Sequence, residues 1–292
     1  MILESFTLKI FNPEKTLPFY TNVLGFKLVE EFTVNDSTFY NLELENPAHK
    51  IQLEFNKSAT LTPYHQTTTD NYWKFSLFVD DIQRVYKELL KQKHPIGEPS
   101  QIGDIGYLSH TADLENHQIE FIQKTFKHNS VSVPPKKGFL LKEQPVLGLL
   151  TIRTKYPQKS IELFEDLLDL KLFVRMNVNR GNGFTLYFLG DKNLQAPSQD
   201  IDALENREWM YQQSHLFIEI QYYWVSEQDE DFSLNNTQEN GLHTINFSGD
   251  LTVLKEKLAL NKIPFNQLKN YITFETLDKH KILVKESHNP ED

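Results

Sequence analysis

Two glutamates of this 292-residue chain occupy positions where a carboxylate could take part in chemistry. Glu54 is the central residue of the segment LEF, and Glu120 is the central residue of IEF. Because successive side chains of a strand point to opposite faces, each carboxylate faces away from its apolar neighbours. A carboxylate in such a setting can bind a divalent cation or exchange a proton with a substrate. Lys74, beside Trp73 in another strand-like segment, is a poor metal ligand while protonated and repels a cation.

Histidine would have to supply any nitrogen ligand. The chain has no cysteine, which excludes disulfides, thiolate metal sites and a cysteine nucleophile. His215 lies four residues before Glu219, so the two share a strand face if no bulge intervenes. His110, His117 and His280 lie at or beside predicted strand ends, and we expect them to be solvated.

Composition limits the partners and the location. The formal net charge is −10 and no lysine or arginine cluster forms a stripe, which argues against nucleic acid and anionic membranes as partners. No segment approaches the roughly 18 apolar residues of a membrane helix. Glu4 and Lys9 interrupt the first apolar run, which is unlike a signal peptide. We therefore expect a cytoplasmic protein.

An internal repeat predicts the architecture. Residues 15–28 read KTLPFYTNVLGFKL and residues 159–172 read KSIELFEDLLDLKL, with apolar residues at helical spacing in both. A second, shorter match aligns residues 85–88, VYKE, with residues 253–256, VLKE. A duplicated unit in a chain of this length favours two halves of similar size, each containing two smaller units.

Hydrophobic periodicity predicts that each smaller unit is a strand, a helix and three further strands. Gly25 is expected to end the first helix. Residues 190–211 form a polar insertion, which we expect to be functional or disordered, and residues 124–144 and 224–239 are expected linkers. The predicted helices are 13–25, 81–93, 157–168 and 250–261, and the predicted strands are 6–10, 26–32, 37–44, 50–55, 73–79, 96–101, 105–110, 117–124, 146–154, 170–177, 183–189, 213–221, 241–247, 264–267, 271–275 and 281–286.

Four such units, paired two and two, resemble the vicinal oxygen chelate superfamily, which includes glyoxalases, extradiol dioxygenases and bleomycin-resistance proteins. FYTNVLGFKL is similar to the helix-to-strand signature of that family. TLYFLGDKN, followed by an insertion and SHLFIEI, resembles its lactoylglutathione lyase branch. The resemblance implies an α+β fold in which four β-α-β-β-β modules pair into two glyoxalase-like domains. We expect these domains to span residues 1–125 and 146–288, with a linker at 126–145.

The resemblance also implies where a metal would lie. Members of the family that hold a metal place histidine, glutamine or glutamate on the first strands of paired units and glutamate on the last strands. In the first half these positions fall on Ser5, Glu54, Lys74 and Glu120. In the second half they fall on Leu149, Glu219, Leu242 and Leu283.

These positions predict an ion-pair cluster of Glu54, Lys74 and Glu120, with the ammonium where a metal would lie. The cluster could be catalytic, through shifted pKa values, or a structural salt bridge. In the second half His243 lies one residue past an expected ligand, so a site of His215, Glu219 and His243 would need a bulge. The weak metal candidates are therefore Glu54, Glu120, His215, Glu219 and His243.

Three functions stay open at this point. The first is a glyoxalase-like lyase or extradiol-type dioxygenase that uses a divalent metal. The second is a metal-free module of the bleomycin-resistance type that binds a small, perhaps cationic, ligand. The third is a scaffold whose cups are only core. Trp73, Phe39 and Tyr107 are the expected ligand-contacting aromatics, the Trp209–Tyr211 segment could cover a cup, and a homodimer is one further expectation.

Overall fold

The computed structural model describes residues 1–44, 49–59 and 64–287. These residues form four consecutive β-α-β-β-β units, as the repeat predicts. The first unit contains β1 (Ile2–Ile10), α1 (Pro13–Phe19), β2 (Lys27–Val34), β3 (Ser37–Glu43) and β4 (Lys50–Asn56), and the second contains β5 (Tyr72–Val79), α2 (Ile82–Lys91), β6 (Ser100–Ile102), β7 (Gly106–Ala112) and β8 (Gln118–Gln123). The third contains β9 (Val146–Arg153), α3 (Pro157–Glu162), β10 (Leu170–Val178), β11 (Phe184–Asp191), α4 (Glu205–Tyr211) and β12 (Phe217–Tyr223), and the fourth contains β13 (Leu242–Gly249), α5 (Leu251–Leu260), β14 (Phe265–Leu268), β15 (Tyr271–Glu275) and β16 (Lys281–Glu286).

Local signals explain where α1 begins and where its turn ends. The side chain of Asn12 accepts a hydrogen bond from the backbone N–H of Lys15, and Pro13 occupies the first turn. The chain continues through a π-helical turn, Tyr20–Leu24, and Gly25 then takes the left-handed conformation at φ +86°. The prediction that Gly25 ends this helix is confirmed. The polar insertion, by contrast, contains a short helix, α4, that periodicity did not predict.

The strands form two eight-stranded sheets that cross the boundary between the halves. The first sheet has the order β14-β15-β16-β13-β1-β4-β3-β2, and the second has the order β10-β11-β12-β9-β5-β8-β7-β6. The first sheet therefore joins the first and fourth units, through antiparallel β1 and β13. The second sheet joins the second and third units, through antiparallel β5 and β9.

This pairing corrects the expectation that each half builds its own cup. The first strand of any unit offers a free edge to the first strand of any other, and the repeat does not say which partner it takes. We call the face of the first sheet that carries Ser5, Gln52 and Asn246 the first-sheet cup, and the face of the second sheet that carries Lys74, Glu120 and Glu219 the second-sheet cup. The boundaries 1–125 and 146–288 separate the second unit from the third, and as limits of independent domains they stay a prediction.

Buried hydrogen bonds lock the two sheets to each other. The turn between β7 and β8 reaches α1, where Glu115 Oε1 accepts from the Asn12 N–H at 2.9 Å and from the Thr16 hydroxyl at 2.6 Å. The Tyr20 hydroxyl donates to Asp113 in the same turn at 2.8 Å. These contacts hold the second unit, in the second sheet, against the first unit, in the first sheet.

The turn between β15 and β16 makes the equivalent contact with the third unit. Asp278 accepts hydrogen bonds from the Lys155 N–H at 3.1 Å and from the Thr154 hydroxyl. His280 and His117 occupy matching places in the two turns. Both histidines are buried, and both reach across to the other sheet. His280 Nε2 lies 2.9 Å from the backbone carbonyl of Asn71, and His117 Nε2 lies 2.9 Å from the backbone carbonyl of Lys9. The expectation that these two histidines are solvated is therefore wrong.

Among the described residues, no helix has both the length and the apolar character needed to cross a bilayer.

Glu115→Ala and Asp278→Ala should each lower the free energy of unfolding by about 1–3 kcal/mol, because each leaves buried donors without an acceptor. Urea denaturation followed by fluorescence measures the loss. Glu256→Ala, on the exposed side of α5, is the matched control and should change stability little. Losses equal to that of the control would contradict the role of the two turns.

Candidate functional site

Three charged side chains meet at the floor of the second-sheet cup. Lys74 on β5 places its Nζ 2.5 Å from Glu120 Oε2 on β8 and 3.1 Å from Glu219 Oε2 on β12. All three residues are buried. One ammonium therefore bridges two carboxylates that belong to different units.

Strand register explains why these groups converge. In the second unit β5 and β8 run parallel with Ser76 opposite Glu120, and the Ser76 hydroxyl donates to Glu120 Oε2 at 2.8 Å. In the third unit β9 and β12 run parallel with Thr151 opposite Glu219, and the Thr151 hydroxyl donates to Glu219 Oε2 at 2.5 Å. Antiparallel β5 and β9 then bring the two pairs together, with Lys74 opposite Thr151.

The electrostatics of the two carboxylates differ. Burial favours the neutral form of Glu120, but the Lys74 ammonium and the His110 ring outweigh burial, and the pKa of Glu120 is lowered. Burial dominates at Glu219, and the nearby Glu120 charge adds to it, so the pKa of Glu219 is raised despite Lys74. Burial opposes the charge of Lys74, but the two glutamates raise its pKa overall. The site therefore contains a firmly ionised carboxylate beside one that binds a proton more readily.

His110 connects this cluster to the open side of the cup. Its Nε2 lies 3.0 Å from Glu120 Oε1, and its side chain keeps 44% of its exposure. The residue lies within β7 and lines the cavity. Solvent exposure was expected for His110, whereas its contact with Glu120 was not.

A cavity of about 420 Å³ lies above the cluster, and its walls are mainly apolar. Trp73 stands at its edge with its ring centre 4.7 Å from Lys74 Nζ and 5.0 Å from the Arg153 guanidinium. Tyr211, at the end of α4, lines the cavity and donates its hydroxyl proton to the Ile105 carbonyl at 2.8 Å. The other apolar wall residues are Ile102, Ile105, Leu108, Ile122, Leu149, Val178, Phe184, Leu186 and Phe188.

Glu54 lies in the other sheet, away from Lys74, which corrects the predicted cluster. Its Oε1 is 2.7 Å from Lys9 Nζ and accepts from the Ser37 hydroxyl at 2.7 Å, and its Oε2 is 3.8 Å from His243 Nε2. Burial would raise the pKa of Glu54, but His243 and Lys9 lower it overall. Since β4 pairs with β1 in the first sheet, Glu54 cannot share a floor with β5.

The structure also separates other predicted site residues. Phe39 lines the first-sheet cup and stacks on Phe32 at 5.1 Å between ring centres. Tyr107 points to the other face of β7, where its hydroxyl accepts from Gln83 on α2 at 2.6 Å.

His215 precedes β12, and its ring centre lies 6.2 Å from that of His49. The expectation that His215, Glu219 and His243 rebuild one site is wrong, because Glu219 and His243 belong to different sheets.

Sequence reasoning found Lys74 and Glu120 but missed that Glu219 completes their cluster. Glu219 was visible as a carboxylate on the last strand of the third unit, and Leu149 as its partner on the first strand. The pairing of β5 with β9 was the missing information, and no short-range pattern encodes it. Ser76 and Thr151, hydroxyls opposite the two glutamates, are the signal that could have linked them.

Comparisons with known proteins agree with this architecture. Residues 3–121 match the sequence model of the Glyoxalase/Bleomycin resistance protein/Dioxygenase superfamily. Glyoxalase I of Saccharomyces cerevisiae is 23% identical over 260 residues, an alignment that covers 81% of this chain and 73% of the yeast protein.

Solved structures show the same fold over nearly the whole chain. Glyoxalase I from Zea mays matches with a TM-score of 0.70 at 14% identity, covering 98% of this chain and 92% of the maize chain. A putative dioxygenase from Bacillus subtilis matches with a TM-score of 0.59 at 16% identity, covering 99% of this chain and 86% of the bacterial chain. At these identities the likeness concerns the fold.

Lys74→Met should lower the free energy of unfolding by about 3–5 kcal/mol near neutral pH, because it leaves two buried carboxylates without their cation. Because the pKa of Glu120 is lowered in the native wild type, its ionised carboxylate stabilises the fold at pH values above the ordinary glutamate pKa. This contribution is lost as the pH falls through the lowered pKa. In the variant the carboxylates take up protons as the pH falls. The difference between the two proteins should therefore shrink from about pH 8 to about pH 5 in urea titrations.

Two further variants keep this test sharp. Lys192→Met removes an exposed lysine and should cost little at either pH. Adding Glu219→Gln to Lys74→Met removes one of the two carboxylates that lack a cation, and it should recover part of the lost free energy of unfolding. A loss that does not change with pH, or that Glu219→Gln fails to reduce, would contradict the charge cluster.

Proposed function

We propose that this chain, whose residues 3–121 match the Glyoxalase/Bleomycin resistance protein/Dioxygenase superfamily, belongs to that superfamily and binds a small molecule in the second-sheet cup without a divalent metal. The observation that carries the proposal is the ammonium of Lys74 between Glu120 and Glu219, below a cavity of about 420 Å³. A cavity of a few hundred Å³ with apolar walls and a small polar floor is the usual form of a small-molecule site. The cavity also argues against the third alternative, a scaffold protein whose cups are filled by core side chains.

The donor set at this floor does not fit a divalent metal. Lys74, Leu149, Glu120 and Glu219 fill the four positions on the first and last strands of the two paired units. Leucine and a protonated lysine offer no lone pair to a metal, which leaves two carboxylates where zinc sites use three or four protein ligands. Within the described ranges, no group of three or more histidine, aspartate or glutamate side chains is arranged to hold a metal ion.

The free hydrogen-bonding capacity of the floor indicates the class of ligand. Glu219 Oε2 accepts from Lys74 and Thr151, while no side chain or backbone group in the described part of the chain donates to its Oε1. An acceptor at the floor of an apolar cavity favours a ligand with an apolar body and one hydrogen-bond donor. A primary amine on a ring-bearing carbon chain has that form, in keeping with a small cationic ligand.

One observation favours a second candidate, a lyase that moves a proton. The raised pKa of Glu219 suits a carboxylate that takes a proton from a bound substrate and returns it. His110 would then link Glu120 to solvent for proton exchange. Metal-independent turnover in a glyoxalase I assay, abolished by Glu219→Gln, would support this candidate over simple binding. Cytoplasmic location and a homodimer both stay predictions.

Wild-type protein dialysed against Zn²⁺, Ni²⁺ or Co²⁺ should retain less than one metal ion per chain and show no rise in melting temperature. The double variant Lys74→His/Leu149→Glu replaces the ammonium and the leucine by ligands and should gain stoichiometric metal. Elemental analysis and calorimetry measure both outcomes. Stoichiometric metal on the wild type, or none on the double variant, would contradict the assigned positions.

2-Phenylethylamine should bind more tightly than 2-phenylethanol, and phenylacetate should bind least, because the floor offers a carboxylate acceptor. Calorimetry measures the three affinities. Glu219→Gln should weaken amine binding about tenfold or more, the loss of one hydrogen bond to a charged group. Glu54→Gln, a buried glutamate in the other sheet, is the matched control and should leave binding unchanged. Equal losses in both variants, or tighter binding of the acid, would contradict the proposal.

A further inference from the structure

We propose that the first-sheet cup is a second binding site, and that it takes an uncharged, hydroxyl-bearing ring such as a sugar. A cavity of about 640 Å³ lies in the first-sheet cup. It shares no wall residue with the second-sheet cavity among the residues that line them. The proposal therefore stands apart from the function proposed for the second-sheet cup.

The first-sheet cup repeats the frame of the second-sheet cup, but neutral residues replace its three charged ones; the Lys9–Glu54 ion pair lies two residues further along β1 and β4. Thr7 lies opposite Gln52 on parallel β1 and β4, and its hydroxyl donates to Gln52 Oε1 at 2.9 Å. This is the relation of Thr151 to Glu219 in the other sheet. Glutamine here replaces glutamate in the same hydrogen bond.

The positions equivalent to Glu120 and Lys74 also hold uncharged residues in the first sheet. Leu283 lies opposite Asn246 on parallel β16 and β13, as Glu120 lies opposite Ser76. Thr244 lies opposite Thr7 across the antiparallel central pair, as Lys74 lies opposite Thr151. An ion would meet no opposite charge at this part of the floor, so a neutral ligand is favoured.

The floor is a chain of hydrogen-bonding amides and hydroxyls. Asn246 Nδ2 donates to the Ser5 and Thr7 hydroxyls, each at 3.0 Å. Gln52 Nε2 donates to Asn41 Oδ1 at 2.8 Å. No donor in the described ranges reaches Asn246 Oδ1. The Ser5 hydroxyl accepts a hydrogen bond from Asn246, and its own proton is left to donate to a ligand. A ligand hydroxyl can accept from Ser5 and donate to Asn246 at once.

Aromatic rings stand on both sides of this floor. Phe39 and Phe32, on β3 and β2, stack against each other, and Tyr271, on β15, lines the opposite wall. The apolar face of a sugar ring packs against such rings while its hydroxyls meet the amides. The charged wall residues have mixed signs and give no preference for an anion or a cation; they are Glu4, Glu30, Lys50 and Lys285.

Three sugars with the same ring and different charges test the proposal. Glucose is neutral, glucuronate is an anion and glucosamine is a cation, and uridine serves as a second neutral ring. Amide and side-chain NMR shifts during titration of the full chain locate each ligand. We expect a neutral ring to shift Ser5, Gln52 and Asn246 with saturable binding, and the charged sugars to bind at least several-fold more weakly at this cup.

Variants distinguish the two cups. Gln52→Glu keeps the acceptor for Thr7 but adds a negative charge, so it should weaken glucose binding and favour glucosamine. Asn246→Leu should abolish neutral binding, and unchanged melting temperature would show that the fold persists. Glu219→Gln, in the other cup, should leave sugar binding unchanged. The proposal is overturned if neither neutral ring binds at the first-sheet cup, if a charged sugar binds there more tightly, or if Gln52→Glu leaves the order unchanged.

Discussion

A buried ammonium between two buried carboxylates is the interaction on which the second-sheet cup depends. Removing Lys74 would leave two buried carboxylates without a cation, which costs several kcal/mol. Lys74 can bridge Glu120 and Glu219 only because β5 and β9 pair antiparallel and bring two units to one floor. The charge cluster of the second-sheet cup therefore exists only when a unit of the first half pairs with a unit of the second half. The hydroxyls of Ser76 and Thr151 complete it by fixing the carboxylates from their own neighbouring strands.

The two cups show how one duplicated frame can take two chemical characters. Matching registers place Glu219 and Gln52, Glu120 and Leu283, and Lys74 and Thr244 at corresponding points. At these three points the second-sheet cup carries charges, and the first-sheet cup carries an amide, a hydroxyl and a leucine. Such differences cost the fold little, because the strands are held by backbone pairing and by buried apolar faces that both sheets share.

Sequence patterns predicted the units well and their pairing poorly. The matching segments at residues 15–28 and 159–172, with Gly25 as a stop, were enough for the β-α-β-β-β repeat, because helical and strand periodicities are local. Lys74 and Glu120 meet as predicted, since β5 and β8 belong to one unit. Glu54 does not join them, because the choice of partner sheet depends on long-range contacts such as those of Glu115 and Asp278. Burial of His117 and His280 depends on the same contacts.

The central claim is that an ammonium occupies the place of a metal in the second-sheet cup. A crystal structure of protein equilibrated with Zn²⁺, with anomalous data collected at the zinc edge, tests it most directly. The account predicts no anomalous peak between Glu120 and Glu219, with Lys74 Nζ within about 4 Å of both carboxylates. An anomalous peak between the two glutamates, with Lys74 turned away from them, would contradict it.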